Sequence, residues 1–277
     1  MKPGAVRLRV ADLGRAQEFY ERTIGLRPID RAAELVRLGA DGRAVVELVD
    51  SPGAPPRPPR TTGLFHLAIL VPSRRDLALA LRRVLRSGWS LSGASDHLVS
   101  EALYLNDPEG NGIEIYRDRP RQAWSYANGE LQMSTLPLDL EGLVAEPGDA
   151  DPEPGGAPEG TRIGHVHLNV SDLQRAEAFY HGLLGFDVTV RGYPGALFVS
   201  TDGYHHDLGL NTWAGEGAPA PPAGARGLNR FELLVGDEAE LRDLERRLAA
   251  AGVEARRDDG GVHVADPSGN GILIRTR

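Results

Sequence analysis

The 277-residue chain contains no cysteine, and this absence removes a whole class of chemistry. Disulfide bonds, thiolate nucleophiles, cysteine-ligated zinc and iron–sulfur clusters are all excluded. The chain also lacks the phosphate-loop pattern G-x-x-x-x-G-K-[ST] and the nucleophile elbow G-x-S-x-G. Any catalytic chemistry must therefore come from other side chains or from a bound cofactor.

Long apolar runs and an excess of positive charge are also missing. The first residues, MKPGAVRLRVADL, have no apolar signal-peptide core, and no run is long enough to span a bilayer. The net charge of −8 argues against nonspecific binding to nucleic acid or to anionic membranes. We expect a cytoplasmic protein whose partners are small molecules, and the length favours two domains.

What the chain does contain is a repeat. LRVADLGRAQEFYERTIGL (residues 8–26) matches LNVSDLQRAEAFYHGLLGF (residues 168–186) at a constant shift of 160. A looser pair joins residues 63–88 to residues 227–252. Each member of that pair is followed by a nearly identical segment, DPEGNGIEIY in one case and DPSGNGILIR in the other.

Each repeat predicts the same local structure, a strand, a helix and three further strands. Apolar and polar residues alternate along the opening strands, as in VHLNV. Asp12 and Asp172 are placed as helix N-caps, and Gly185 suits the C-terminal end of a helix. The Asp-Pro and Gly-Asn-Gly residues predict a tight turn with positive φ. We name the four βαβββ units modules 1 to 4; they cover residues 4–50, 63–116, 162–213 and 227–276.

The modules predict an α+β fold with two tandem halves, residues 1–120 and 161–277. Residues 121–160 form a linker and connecting segment, of which residues 145–160 are rich in proline, glycine and acidic residues. Four βαβββ modules, the D-L-x-R-A-x-x-F-Y signature and the DP-x-GNG-x-E ending resemble the vicinal oxygen chelate superfamily (glyoxalase, bleomycin resistance and extradiol dioxygenase proteins). Two-half members of this superfamily are similar to extradiol ring-cleaving dioxygenases of the catechol 2,3-dioxygenase type.

The resemblance implies two cupped mixed-sheet barrels and a divalent metal held inside one of them. The superfamily places one metal ligand early in a module's first strand and another in its last strand. These positions imply His66 and His165 as first-strand ligands and Glu114 as the last-strand ligand. Two histidines and one carboxylate suit Fe(II) and leave positions open for oxygen and a chelating substrate, and Mn(II) fits the same set. His167 shares a strand face with His165 and ranks below it.

The matching positions elsewhere hold other residues. Module 1 has Ala5 at the first-strand position and Glu47 in its last strand, and module 4 has Arg230 and Leu273. We therefore expect no metal in module 4. The three candidate ligands, His66, Glu114 and His165, come from modules 2 and 3, which implies that these two modules pair across the two halves. Sequential pairing, in which Glu47 would join His66 and Glu114, stays open.

The resemblance also suggests residues for the chemistry. Tyr104 lies ten residues before Glu114, where extradiol enzymes carry a tyrosine, and His206 fits the position of their acid–base histidine better than its neighbour His205. Asp96 and His97 fall in the segment that resembles the substrate-side loop, although the local spacing departs from the family pattern. We expect His206, Tyr104 and His97 to be catalytic.

The resulting hypothesis is a dioxygenase that opens a catechol-type ring with Fe(II) and O2. Two alternatives remain. One is a metal-dependent glyoxalase or epimerase using Lewis-acid chemistry, which would recruit Glu47. The other is a metal-free module that sequesters a small molecule such as an antibiotic. A homodimer is compatible with exposed sheet edges.

Overall fold

The fold is described from a computed structural model covering residues 1–127, 130–148, 150–152 and 155–277. The expected linker and connecting segment, residues 121–160, includes five positions (128, 129, 149, 153 and 154) that lie outside the described residues. In the described part of the chain, no helix is both long and apolar enough to cross a membrane.

The first half contains modules 1 and 2 and the segment that follows them. Module 1 consists of β1 (Lys2–Val10), α1 (Leu13–Phe19) with its π-helical continuation (Tyr20–Ile24), β2 (Arg27–Ala32), β3 (Leu35–Ala40) and β4 (Arg43–Asp50). Module 2 consists of β5 (Gly63–Leu70), α2 (Arg74–Arg86), β6 (Gly93–Asp96), β7 (Ser100–Asn106) and β8 (Gly112–Asp118). The connecting segment has a 3₁₀ turn (Arg121–Ala123), β9 (Tyr126–Ala127), β10 (Glu130–Leu131), β11 (Leu136–Pro137) and α3 (Leu140–Ala145).

The second half repeats this order. Module 3 consists of β12 (Arg162–Asn169), α4 (Leu173–Glu177) with its π-helical continuation (Ala178–Leu183), β13 (Asp187–Val190), β14 (Ala196–Ser200) and β15 (Leu208–Asn211). Module 4 consists of β16 (Gly227–Val235), α5 (Glu238–Ala250), β17 (Ala255–Asp258), β18 (Gly261–Ala265) and β19 (Gly271–Thr276). The βαβββ prediction is confirmed in all four modules, and the fold class is α+β.

Helix boundaries follow the capping residues. The Asp12 carboxylate accepts from the backbone N–H of Arg15, and Asp172 accepts from two N–H groups at the start of α4. These bonds satisfy donors that have no partner within a helix. Gly185, two residues beyond the end of the module 3 helix, has φ +88°, a conformation in which glycine lacks the Cβ penalty.

The chain forms two compact units, each with mixed sheets. The first unit comprises Met1–Arg9, Pro55–Phe65 and His165–Arg277, and the second comprises Val10–Ala54 and His66–Gly164. Strand order in the first unit is β17-β18-β19-β16-β1 and β12-β15-β14-β13; in the second it is β2-β3-β4 and β11-β6-β7-β8-β5. Parallel pairing joins the first strand of a module to its last, as in β16–β19, β12–β15 and β5–β8.

Within the first unit, the opening strand of module 1 lies beside the opening strand of module 4. β1 pairs antiparallel with β16, and Arg7 is opposite Arg230 in the register. The register shifts twice along this pair, which indicates bulges. The opening strand of module 1 therefore pairs with the opening strand of module 4.

The connecting segment packs on module 2 within the second unit. β11 adds to the sheet beside β6, and α3 packs against α2. The Arg74 guanidinium pairs with Glu146 at 2.6 Å, and the Trp124 indole donates to the Arg119 carbonyl at 3.0 Å.

The two repeated motifs contact each other. Asp107, in the DPEGNG turn, is 4% exposed and accepts from the N–H groups of Glu109 and Asn111 and from the Asn111 amide. Its fourth donor is the hydroxyl of Tyr20, the last residue of the D-L-x-R-A-x-x-F-Y signature, at 3.1 Å. The predicted positive φ occurs at Gly110, at +85°. The turn is thus fastened to the helix of module 1.

The second half repeats this contact. The Tyr180 hydroxyl donates to Asp266 at 3.0 Å, and Asp266 accepts from the turn through the same three kinds of donor. Burial raises the pKa of Tyr20 and Tyr180 well above its ordinary value, and the adjacent carboxylate raises it further. Burial also raises the pKa of Asp107 and Asp266, although their hydrogen bonds oppose the shift.

Candidate metal centre

A buried histidine–glutamate pair lies on neighbouring strands of module 2. β5 and β8 run parallel, with Ala68 beside Glu114, and Nε2 of His66 lies 3.0 Å from Oε2 of Glu114. The two residues are 6% and 3% exposed. A carboxylate removed from water needs a cation or strong donors, and the imidazole supplies one of these contacts.

The face that carries this pair is otherwise apolar. Strand alternation puts His66, Glu114 and Tyr104 on one side of the module 2 sheet. A cluster of buried side chains covers the same side, with Tyr104 packed against it; its members are Ala68, Leu70, Ala102 and Tyr116. His66 and Glu114 are therefore held in buried, largely apolar surroundings, where electrostatic interactions are strong, whereas Tyr104 is half-buried.

Tyr104 joins this pair to His97. Tyr104 is opposite Glu114 in the β7–β8 register, and its ring centroid lies 5.8 Å from that of His66. Its hydroxyl is 2.7 Å from Nε2 of His97, whose Nδ1 is 2.7 Å from the Ser134 carbonyl. A carbonyl can only accept, so Nδ1 carries the hydrogen, and Nε2 of the neutral ring accepts a hydrogen bond from the Tyr104 hydroxyl.

Ser134 is the residue that sequence reasoning missed at this site. It contributes a backbone carbonyl and lies in the connecting segment, which has no counterpart in the repeat, so no sequence signal marked it. Asp96, which the sequence placed beside His97, shapes the turn instead. Its carboxylate accepts from the Leu98 N–H and pairs with Arg119 at 2.5 Å.

The first unit contributes a second group of histidines. The His165 and His206 rings have centroids 4.0 Å apart, and Nδ1 of His206 lies 2.7 Å from Nδ1 of His205. All three are buried, and His205 is fully enclosed. The loop between β14 and β15 therefore places the imidazoles of His205 and His206 close to His165.

His167 has aromatic surroundings. It is opposite Gly209 in the β12–β15 register, and its ring lies 5.1 Å from Phe65, 5.3 Å from Trp213 and 5.7 Å from Phe198. Phe198 also lies 4.9 Å from His206.

His66, Glu114 and His165 offer ligand atoms that all lie within 4.8 Å of one another. Among the described residues, this group contains neither His167 nor Glu47. Two imidazole nitrogens and one carboxylate oxygen, all buried, fit a divalent first-row transition metal, and three protein ligands leave further positions open. The donor set therefore suits the group that the resemblance implies.

Glu47, the alternative carboxylate, has another partner. Arg37 is directly opposite on β3, and its Nε donates to Glu47 at 2.8 Å. This hydrogen bond is the main cause that raises the pKa of Arg37. At the corresponding positions of module 4, Leu273 is buried, and Nη1 of Arg230 lies 3.5 Å from Nδ1 of His263.

Comparisons with known proteins agree with this architecture. The family profile of the glyoxalase/bleomycin resistance protein/dioxygenase superfamily matches residues 2–115 and 162–274. The catechol-2,3-dioxygenase of Bacillus subtilis (strain 168) is 43% identical over 269 residues, which are 95% of this chain and 93% of that protein. Biphenyl-2,3-diol 1,2-dioxygenase 3 of Rhodococcus globerulus is 33% identical over 81 residues, 28% of this chain and 43% of that protein.

A solved structure shows the same fold at low identity. Glyoxalase I from Zea mays superposes with a TM-score of 0.60 at 16% identity, covering 99% of this chain and 92% of the other. The repeated βαβββ modules, the profile match over both halves and the relative that spans nearly the whole chain lead to one conclusion. The chain belongs to the glyoxalase/bleomycin resistance protein/dioxygenase superfamily.

Proposed function

We propose that this protein is an extradiol dioxygenase that opens the ring of a catechol-type diol with O2, using Fe(II) held by His66, Glu114 and His165. The observation that carries the proposal is the buried group of two imidazoles and one carboxylate. Similarity to the Bacillus subtilis enzyme supports the reaction class. When bound, Fe(II) supplies chelation of the two diol oxygens and the electronic coupling to O2 that the organic groups lack.

The protein's own residues then have three tasks. The first is to receive a diol proton, because a catechol chelates best after losing one. His206 is suited to this task, since its ring lies 4.0 Å from that of His165 and an imidazole exchanges protons near neutral pH. His205 stabilises its position through the 2.7 Å contact between their Nδ1 atoms.

The second task is to donate a hydrogen bond to developing negative charge beside Glu114. Tyr104 is suited to this because its side chain is on the same sheet face as Glu114 and its hydroxyl is oriented by His97. The hydroxyl has one proton, which it donates to Nε2 of neutral His97, so protonation of His97 frees that proton for the developing charge. The third task is to keep water away. The apolar cluster beneath the His66–Glu114 pair performs it. In the net reaction, the C–C bond next to the diol breaks and both oxygen atoms of O2 enter the product.

The test is anaerobic reconstitution with Fe(II), followed by catechol and air. We expect O2 consumption and a yellow ring-opened semialdehyde in equal amounts. Glu114→Ala and His165→Ala should lose iron, whereas Glu47→Ala is the matched control on a last strand and should retain it. Iron binding without ring opening of catechol or its substituted analogues would refute the reaction, and iron retained by His165→Ala would refute the ligand set.

A further inference from the structure

A cleft in the second unit contains a buried arginine whose charge is not matched by a partner. Arg83, in α2, is 5% exposed, and its Nε donates to the Ile24 carbonyl at 3.1 Å. Its Nη1 is also buried and has no hydrogen-bond partner among the described residues. Burial lowers the pKa of Arg83 to about 10, and Asp76 opposes this shift only in part. Buried charges are ordinarily paired.

The backbone makes room for this guanidinium. Gly25 has φ +91°, and a Cβ there would lie 2.6 Å from Nε and 2.7 Å from Cζ of Arg83. Any larger residue at position 25 would therefore push the guanidinium away. The arginine is held in a shaped recess rather than at a flexible surface.

The recess opens into a cleft of about 890 Å³, which is within the size range of ligand sites. Two more arginines, Arg27 and Arg75, line it together with three carboxylates: Asp41, Asp151 and Glu159. Two of these carboxylates are already engaged. Asp41 accepts the Gly160 N–H, and Asp151 pairs with Arg86. Arg27 is also engaged, because its Nε donates to the Gly155 carbonyl. The feature that indicates a ligand is therefore the buried Nη1 of Arg83, which has no hydrogen-bond partner among the described residues.

The repeat provides an internal comparison. At a shift of 164, Arg83 corresponds to Arg247, which lines a smaller cleft of about 360 Å³ in the first unit. Nε of Arg247 lies 3.3 Å from Asp243, one helical turn earlier, which is an ion pair without a hydrogen bond at that nitrogen, and Nη1 donates to the Leu183 carbonyl. Leu79 occupies the matching position in module 2, so Arg83 lacks that carboxylate.

The other two arginines of the module 2 cleft also have no arginine counterpart in the second half of the chain. Arg27 corresponds to Asp187 at the shift of 160, and Arg75 corresponds to Ala239 at the shift of 164. The first-unit cleft also contains Asp202 and Glu240. Two positions that carry arginine in the module 2 cleft thus carry an aspartate and an alanine in the other half.

We propose that the module 2 cleft is a binding site for a small oxyanion ligand, a phosphate or a carboxylate, which Arg83 contacts through Nη1 with Arg27 and Arg75 completing the site. None of the three arginines belongs to the candidate metal centre, so this site is separate from the proposed ring-cleaving function. A planar guanidinium binds either oxyanion through paired hydrogen bonds.

Inorganic phosphate and succinate serve as probes for the two ligand sources. Each is titrated into the intact protein at constant ionic strength set with chloride, and both the heat of binding and the shift in Tm are measured. At least one probe should bind saturably and raise Tm. Binding by phosphate alone or by succinate alone identifies the ligand class. Failure of both to exceed chloride overturns the proposal.

Variants then assign the binding to the cleft. Arg83→Met keeps the apolar stem and should weaken the bound probe by about ten-fold or more, the usual effect of losing a charged hydrogen bond. Arg247→Met, the equivalent change in the other half, should leave affinity unchanged. Arg75→Gln, at an exposed position, should weaken binding about two- to five-fold and serves where Arg83→Met does not fold. Unchanged affinity in either Arg83→Met or Arg75→Gln overturns the assignment.

Discussion

The contact between the two repeated motifs allows a quantitative prediction for Tyr20→Phe. The substitution removes the hydroxyl that donates to Asp107 at 3.1 Å and leaves the buried ring in place. A hydrogen bond to a charged acceptor contributes about 1.5–3 kcal/mol, and Asp107 keeps three other donors. We therefore expect the free energy of unfolding to fall by about 1–2 kcal/mol.

Asp107→Ala is the complementary change and should be larger. It leaves four donors without an acceptor, one of them the Tyr20 hydroxyl, and each unsatisfied buried donor costs about 1 kcal/mol or more. Relief of the buried carboxylate, whose pKa is raised by desolvation, offsets a part of this loss. The expected decrease is about 3–4 kcal/mol, which exceeds that of Tyr20→Phe.

Urea unfolding with an unchanged m-value measures both numbers. Tyr180→Phe is the matched control, because its hydroxyl is 3.0 Å from Asp266 in the same constellation. It should cost the same as Tyr20→Phe to within about 0.5 kcal/mol. An unchanged free energy of unfolding in Tyr20→Phe, or a decrease in Asp107→Ala no larger than that in Tyr20→Phe, would contradict this account of the contact.

Three further predictions concern pH and the candidate centre. The pKa of Tyr20 and Tyr180 is raised in the folded protein, so the contribution of these two phenols to the free energy of unfolding is present below pH 10 and should be lost as the pH rises above it. A spectrophotometric titration should show that these two of the seven tyrosines ionise only on unfolding. Tyr104→Phe removes the hydroxyl 2.7 Å from His97 and should lower kcat for catechol about 10²-fold at unchanged iron content; an equal loss of iron would contradict a role in the chemistry. Glu114→Gln should reduce the iron retained per chain after gel filtration by about ten-fold or more, because a neutral amide replaces the anionic ligand; full retention would refute Glu114 as a ligand.

The features that the sequence predicted well are those that the repeat or the local chain encodes. Comparing the modules with one another aligned the strands, and the N-cap role of Asp12 followed from its place before an amphipathic segment. The positions of His66 and Glu114 were implied by the resemblance to the superfamily, and the two residues lie on adjacent parallel strands.

Contacts between distant parts of the chain were not predictable in this way. Neither motif indicates that Tyr20 reaches Asp107, because 87 residues separate them and both residue types are common in helices and turns. The Ser134 carbonyl beside His97 belongs to a segment without periodicity or repeat. Backbone carbonyls carry no residue-specific signal, so only the folded chain identifies this contact.

The differences between matching modules are more informative about function than the similarities. A scaffold position tolerates few replacements, and Asp107 and Asp266 are accordingly the same residue in the same hydrogen bonds. A position that serves a ligand is free to change in a copy that binds none, and the replacement of Glu114 by Leu273 fits the metal site that we propose. Leu79 and Asp243 show the opposite case, since Arg247 has the Asp243 carboxylate at 3.3 Å and Arg83 has Leu79 at that position. An unmatched buried charge destabilises the fold, so the loss of this carboxylate beside Arg83 fits the anion ligand that we propose for the cleft.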